Sequence, residues 1–425
     1  MKHLIFFLII LGGYAISAQK ISDRKIERKL SKIEAFNNAH IAISISSLEG
    51  DKSQISFQDN KYMTPASNIK LLTFLAASQK YDSLPVLYYN SINDSVMQFK
   101  SSGYPLLFHP FYPDDVLANF FKKKQYFKYV APNKAFDGLG EGWSWDDYNY
   151  YHAAQKSSFP IYGNVVEGTI VNGKLRTIPE SWGLKSKMDT TKTAFLRLQN
   201  KNKFLINPKQ WKKGDTLYRP FITSDSLFVK LLEQATGNSV KIHSQLNKNI
   251  PWKTLYSQNE DLIFKALLQD SDNGIAEALL LMLSETYFGE MQTKKVIDTI
   301  QRQWEPWLPD PIEWVDGSGV SRYNMLTPRT LVRVLQEIHK TIGWEIIQAY
   351  FPKGGTSKTL KKHEGTKSYA KTGTLRHNHN LSGYLVNPKK KIYVFSIMVN
   401  HHTASTSEVR RGISELLQWF DKKLN

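Results

Sequence analysis

The two ends of this chain carry matching patterns, and that match limits its fold more than any other feature. Near the start, Ile26, Leu30, Ile33 and Phe36 recur at helical spacing, and then Ile41, Ile43 and Ile45 alternate with small or polar residues. The spacing predicts a helix followed by a strand, with Ser53 to Gln58 as the return strand across a turn containing Gly50 and Asp51. Near the end, Ser368 to Leu375, Leu381 to Val386 and Ile392 to Val399 read as three strands on short turns, the second pair joined through Asn387-Pro388. A last helix carries Val409, Ile413, Leu416, Leu417, Phe420 and Leu424 on one face. Together these elements imply an α/β (α+β) domain in which one antiparallel sheet of about five strands, flanked by helices, is assembled from both ends of the chain.

Whatever lies between must leave that sheet and return to it. Residues 86–254 are rich in Tyr, Trp, Asn and Lys and hold short strand-like pieces, among them Gly168 to Ile178 folded about Asn172-Gly173, a type I′ hairpin signal. We expect an inserted, mostly β domain there, leaving 19–85 and 255–425 as a discontinuous main domain. Within the latter, Thr64-Pro65-Ala66-Ser67 reads as a helix start, with Thr64 as N-cap and Pro65 at the first helical position. Asp261 to Phe288 reads as helix, interrupted around Ser271-Asp272-Asn273-Gly274, and Thr327-Pro328 opens another through Leu331, Val332 and Leu335.

Composition excludes several chemistries. The 425 residues include no cysteine, which rules out disulfides, zinc ribbons, iron–sulfur ligation, a thiol nucleophile and a lipid anchor on cysteine. Lys2 and His3, an apolar run from Leu4 to Leu11, and small residues up to Ala18 form the pattern of a cleavable secretory signal over 1–18. The expected compartment is the periplasm or cell envelope. There, a net charge of +18 points to anionic wall polymers or lipid head groups as peripheral contacts and not to nucleic acid.

Ser-x-x-Lys occurs four times, at Ser17, Ser22, Ser67 and Ser368, so the pattern alone says little. Only Ser67 falls in the first turn of an expected helix with Lys70 one turn later on the same face. There the serine oxygen lies near backbone N–H groups that favour developing negative charge, and Lys70 can take the serine proton only when neutral, which needs burial or a second cation nearby to lower its pKa. Ser271 and Asn273 stand at the break between two helices, where a hydroxyl and an amide can face a cleft. Lys371-Thr372-Gly373-Thr374 lies on an expected strand. His377 and His379 alternate as they would on one strand face, yet this chemistry calls for no metal and no cofactor.

Taken in order, serine-x-x-lysine at a helix start, serine-x-asparagine between helices and lysine-threonine-glycine on a strand resemble the three-part signature of penicillin-binding proteins and serine β-lactamases. Asp316-Gly317-Ser318-Gly319-Val320-Ser321-Arg322, with Asn324 and Thr327-Pro328 after it, is similar to a run found in the class C low-molecular-mass penicillin-binding proteins, the D-alanyl-D-alanine carboxypeptidase/endopeptidase family. Gly142-Trp143-Ser144-Trp145-Asp146-Asp147, followed by Tyr150 and Tyr151, resembles that family's tryptophan and aspartate motif. Ala276-Glu277 and Leu381-Ser382-Gly383-Tyr384 match as well.

The resemblance implies a serine DD-peptidase fold and an acyl-enzyme on Ser67, formed with peptidoglycan stem peptides or, as covalent inhibitors, with β-lactams. It implies Lys70 as general base, Ser271 as proton donor to the leaving amine, and Asn273 as holder of a substrate amide. Lys371, Thr372 and Thr374 would bind the terminal carboxylate beside Gly373, and the N–H groups of Ser67 and Thr374 would form the oxyanion hole. Asp146, Tyr151 and Arg322 would contact the stem-peptide side chain, and neighbouring lysine charges would help keep Lys70 neutral. The alternative is a penicillin-binding wall-assembly scaffold with little turnover.

Overall fold

The computed structural model describes residues 21–48, 53–123, 125–172, 174–188, 193–243 and 251–424. The leader read over 1–18 and the turn at Gly50 and Asp51 lie outside them. The main sheet is formed by β1 (His40–Ser47), β2 (Ser53–Phe57), β3 (Ser368–Leu375), β4 (Asn378–Val386) and β5 (Ile392–Asn400). Its order is β3-β4-β5-β1-β2 and all neighbours are antiparallel, so both ends of the chain do build one sheet. Ile41 of β1 faces Val399 of β5, and Ile45 faces Phe395.

Alternation along β1 sorts two layers. Ile41, Ile43 and Ile45 pack with Ile26 and Leu30 of α1 (Asp23–Leu30) and with Val409, Ile413 and Leu416 of the last helix. Ala42 belongs instead to a larger core containing Leu71, Leu75, Leu331 and Leu335. Those residues come from α2 (Lys70–Lys80) and from a long helix beginning at Pro328; α3 (Asn273–Phe288) and α4 (Thr293–Trp304) complete that side. The long helix is α5 (Pro328–Tyr350), whose N-cap Thr327 accepts from the Thr330 N–H at 3.2 Å. The last helix is α6 (Thr406–Lys423), closed at its start by a Ser405/Glu408 capping box.

Residues 85–256 carry three further sheets. In the largest, Ser239–His243, Tyr126–Val130, Val96–Ser101, Pro85–Asn93 and Lys253–Tyr256 lie side by side in that order. The first and last strands of this segment are therefore neighbours, and the chain leaves and re-enters at one place. Two of its pairings are parallel, which demands crossovers, and helices Asp115–Phe121 and Asp225–Thr236 lie in them. These two helices, 7 and 12 residues long, are outweighed by the strands around them, in keeping with the mostly β expectation. The hairpin at Asn172 is present: Val171 pairs with Lys174, and Asn172 has the positive φ that the turn requires. Among the described residues, no helix is long and apolar enough to cross a membrane.

Candidate active site

Ser67 lies in a short 3₁₀ segment, Ala66–Ile69, that runs directly into α2, so Lys70 follows it by one turn. Thr64 does not cap this helix. Its backbone is held by the sheet instead: Asn400 Oδ1 accepts the Thr64 N–H at 2.7 Å, and Asn380 Nδ2 donates to the carbonyls of Thr64 at 2.9 Å and Pro65 at 3.0 Å. Ala66 takes a left-handed φ of 50°, strain held in place by these contacts. Two glycines make that grip feasible. A Cβ on Gly319 would sit 1.9 Å from the Ala66 carbonyl oxygen, and one on Gly373 would sit 2.2 Å from that of Pro65.

Lys70 is fully buried, and its Nζ lies 3.1 Å from Ser67 Oγ while donating to Asn273 Oδ1 and to the Ser318 carbonyl, each at 2.6 Å. The last two partners can only accept, so they take two amine hydrogens. The remaining tetrahedral position faces Ser67 Oγ, where a neutral amine carries its lone pair. Burial pulls Lys70 down to about 8, against the opposing carboxylates of Asp316, Asp272 and Glu277. Of the two causes open from the sequence, burial or a nearby cation, burial is the one that lowers Lys70. Lys371 is held far below its ordinary value, by burial first and then by the Lys70 charge.

The second motif lies at a change of helix type. A π-helical turn, Ala266–Asp270, ends at Ser271, which has a left-handed φ of 60°, and α3 begins at Asn273. This break turns Ser271 toward Lys371, whose Nζ donates to Ser271 Oγ and to the Thr372 carbonyl, both at 2.8 Å. β3 is the free edge of the sheet. Ala370 directs its N–H outward to the Pro352 carbonyl at 3.1 Å, so the N–H groups of Thr372 and Thr374, two and four residues on, also face that edge. Gly373 adjoins Pro65 and Asn68 on the nucleophile segment.

Three residues assigned to side-chain recognition have different fates. Asp146 and Arg322 are exposed, on loops joined by the Arg322 N–H donating to the Gly142 carbonyl at 3.2 Å. Tyr151 is drawn inward: its hydroxyl donates to Asp272 Oδ2, while Asp272 Oδ1 caps α3 through the Ile275 N–H at 2.9 Å. A buried phenol needs an acceptor, and burial together with Asp272 raises its pKa. The Tyr151 hydroxyl, expected at the substrate, is thus engaged with Asp272 in this structure. Next to it, the His152 carbonyl accepts from Asn273 Nδ2 at 2.7 Å. His377 lies in the turn between β3 and β4 with a positive φ, so it does not alternate with His379 on one strand.

Several residues that build the site escape a motif reading. Buried Asp316 accepts from Trp143 Nε1 at 2.8 Å, Gly319 N–H at 2.9 Å, Ser321 N–H at 2.7 Å and Asn324 Nδ2 at 2.8 Å. Glu277 accepts the Ser318 N–H at 2.9 Å, and Asn68 Nδ2 donates to Ser382 Oγ at 2.7 Å. The Asp-Gly-Ser-Gly run signalled the first of these; nothing in the sequence ties Asn68, Asn380 or Asn400 to the nucleophile.

The sequence model of the D-Ala-D-Ala carboxypeptidase 3 (S13) family matches residues 219–422. The chain is 27% identical over 206 residues to D-alanyl-D-alanine carboxypeptidase DacB of Haemophilus influenzae, covering 46% of this chain and 40% of that protein. It is 29% identical over 115 residues to penicillin-sensitive carboxypeptidase A of Dictyostelium discoideum, covering 24% of this chain and 22% of the other. The matches thus span less than half the length of these relatives. Among solved structures, penicillin binding protein 4 (dacB) from Haemophilus influenzae superposes with a TM-score of 0.71 at 16% identity, over 94% of this chain and 99% of that one. Bd3459, a predatory peptidoglycan endopeptidase from Bdellovibrio bacteriovorus, gives 0.52 at 14% identity, over 91% and 94%. The family match begins at residue 219, beyond Ser67 and Lys70; the fold brings Lys70 against Asn273 and Ser318 of the matched part, and the neighbouring Pro65 and Asn68 against Gly373.

Proposed function

We propose that this chain, whose residues 219–422 match the model of the D-Ala-D-Ala carboxypeptidase 3 (S13) family, is a serine D-alanyl-D-alanine carboxypeptidase/endopeptidase that cuts peptidoglycan stem peptides through an acyl-enzyme on Ser67. The observation that carries this reading is the Lys70 nitrogen, fixed by two acceptors so that its third position meets Ser67 Oγ.

Neutral Lys70 takes the Ser67 proton as Oγ attacks the carbonyl carbon of the penultimate D-alanine. The N–H groups of Ser67 and Thr374 receive the oxyanion, each contributing about 3 kcal/mol by analogy with other serine hydrolases. As the C–N bond breaks, Ser271 gives its proton to the leaving amine and takes in its place the one Lys70 had received, so that Lys70 is neutral again, and Lys371 supports the Ser271 oxygen. Lys371, Thr372 and Thr374 hold the leaving residue's carboxylate, and the Asn273 amide hydrogen not donated to His152 holds a substrate carbonyl. Water then attacks the acyl carbon, and the reverse proton path frees Ser67. β-Lactams acylate the same oxygen. Asp146 and Arg322, exposed on joined loops, would recognise charged ends of the stem-peptide side chain.

In the same reading, residues 19–85 and 255–425 form the catalytic domain and 86–254 the insertion. The protein works in the periplasm or cell envelope after loss of its leader. The test is labelling with fluorescent penicillin alongside release of D-alanine from a pentapeptide. Wild type should do both and Ser67→Ala neither; labelling without release would favour the scaffold alternative, and unchanged labelling of Ser67→Ala would overturn the site.

A further inference from the structure

We propose that His379 is a positioning residue that fixes the Thr374 hydroxyl as a hydrogen donor toward the carboxylate of the leaving residue. This rests on the reading above, in which Thr374 helps to hold that carboxylate.

Thr374 and His379 are direct cross-strand partners on β3 and β4. Thr374 is exposed at the free edge, whereas His379 is fully buried, and Thr374 Oγ1 lies 2.7 Å from His379 Nδ1. The imidazole stacks on that of His363 with ring centres 5.7 Å apart and planes within 6°. His363 is in turn held through Nδ1, 3.1 Å from Ser414 Oγ of α6. The ring of His379 is therefore clamped between the sheet and the helix layer.

What that ring does to Thr374 depends on where its proton sits. The Nε2 atoms of His379 and His363 are buried and have no hydrogen-bond partner among the described residues. Burial first, then His363, Arg410 and His402, pulls the His379 imidazole down to about 3, so it carries one proton. Placed on Nε2, that proton would be a buried donor without an acceptor, and Thr374 would have to turn its own hydrogen back to Nδ1. The hydroxyl would then offer only lone pairs to the cleft, which repel a carboxylate. Placed on Nδ1, the proton is donated to Thr374 Oγ1, and the threonine hydrogen stays free to point outward. Nε2 is then left as an unpartnered lone pair, a smaller cost than an unpartnered buried N–H, and this difference favours the tautomer that makes Thr374 a donor.

Hydrolysis of a peptide ending in D-Ala-D-Ala, as free acid and as C-terminal amide, tests this. His379→Leu should raise KM for the acid by at least about tenfold, with kcat nearly unchanged and the amide far less affected. His379→Asn, which returns an N–H close to the Nδ1 position, should restore most of the preference for the acid. Equal losses on both substrates, or no rescue by Asn, would mark a packing role and overturn the proposal. Thr374→Val separates the two layers of inference. If it keeps the acid preference, the carboxylate role of Thr374 fails; if it loses the preference while His379→Leu keeps it, only the positioning role fails. Should His379→Leu not fold, the imidazole nitrogen-15 shifts of wild type decide: a lone-pair signal for Nε2 is expected, and a protonated Nε2 would refute the assignment.

Discussion

Lys70 meets its serine through the one amine position that Asn273 and the Ser318 carbonyl leave open, so its charge state governs acylation. Penicillin acylation should climb about tenfold per pH unit and level off above about 8, the value to which burial brings Lys70. A flat profile from pH 6 to 9 would contradict this, as read by stopped-flow labelling. The same shift acts on stability. Because the folded value lies below the ordinary 10.5, the folded chain binds fewer protons than the unfolded one between about 8 and 10.5. The cost of burying the charge is fully present below about 8 and is relieved as pH rises through that window. Glu277, raised to about 7 by burial and then by Asp316, opposes the neutral form of Lys70. Glu277→Gln should therefore shift the acylation midpoint to lower pH, and a shift upward on the same assay would count against its influence. Arg322→Ala should weaken cleavage of diaminopimelate peptides while sparing a minimal D-alanyl-D-alanine peptide; an equal loss on both would remove Arg322 from side-chain recognition.

Between residues and the whole stand the segments that hold them, chiefly the loop at 316–324. The Asp316 carboxylate gathers five donors, four from that loop and one from Trp143 of the inserted region. Asp316→Ala would leave those donors without their acceptor in a buried site and should lower stability by about 3–5 kcal/mol in urea unfolding. Acylation should slow as well, since Ser318 in the same loop receives the Lys70 hydrogen bond. A variant that unfolds at the wild-type midpoint would show the hub to be dispensable. The motifs at Ser67, Ser271 and Lys371 were readable because each is local, a few residues on one turn or one strand. The Asn380 and Asn400 bonds to the Thr64–Pro65 backbone were not, because side chains that grip backbone more than 300 positions away leave no periodic trace. For that reason a local capping rule gave Thr64 a role that its neighbours in space had already taken. The Tyr151 bond was hidden for the same reason: its motif was visible, but its commitment to Asp272 depends on where the inserted region meets α3. The strands at either end were legible because β1 alternates isoleucines with small residues and the C-terminal strands are apolar runs bounded by turn residues.

At the scale of the molecule, the charge of +18 belongs mostly to residues with no part in the chemistry. Binding to purified sacculi or anionic vesicles should weaken steeply between about 0.05 and about 0.5 M NaCl, while cleavage of a small neutral peptide changes little. Salt-independent binding in a sedimentation assay would assign retention to a specific contact instead. The inserted region reads least well from sequence at this scale, since its parallel strand pairs join pieces far apart in the chain. The sheet order β3-β4-β5-β1-β2 also bears on how the protein is made. A chain emerging N-terminus first carries β1 and the nucleophile segment early, yet β1 has only β2 beside it until residues 392–400 are synthesised. Until then an apolar strand edge stays open to wrong partners, and Ser67 lacks the lysine of β3 and the asparagines of β4 and β5. On the proposed reading, reactivity toward penicillin should therefore arrive only with the closing strands, which would make labelling a reporter of completed folding.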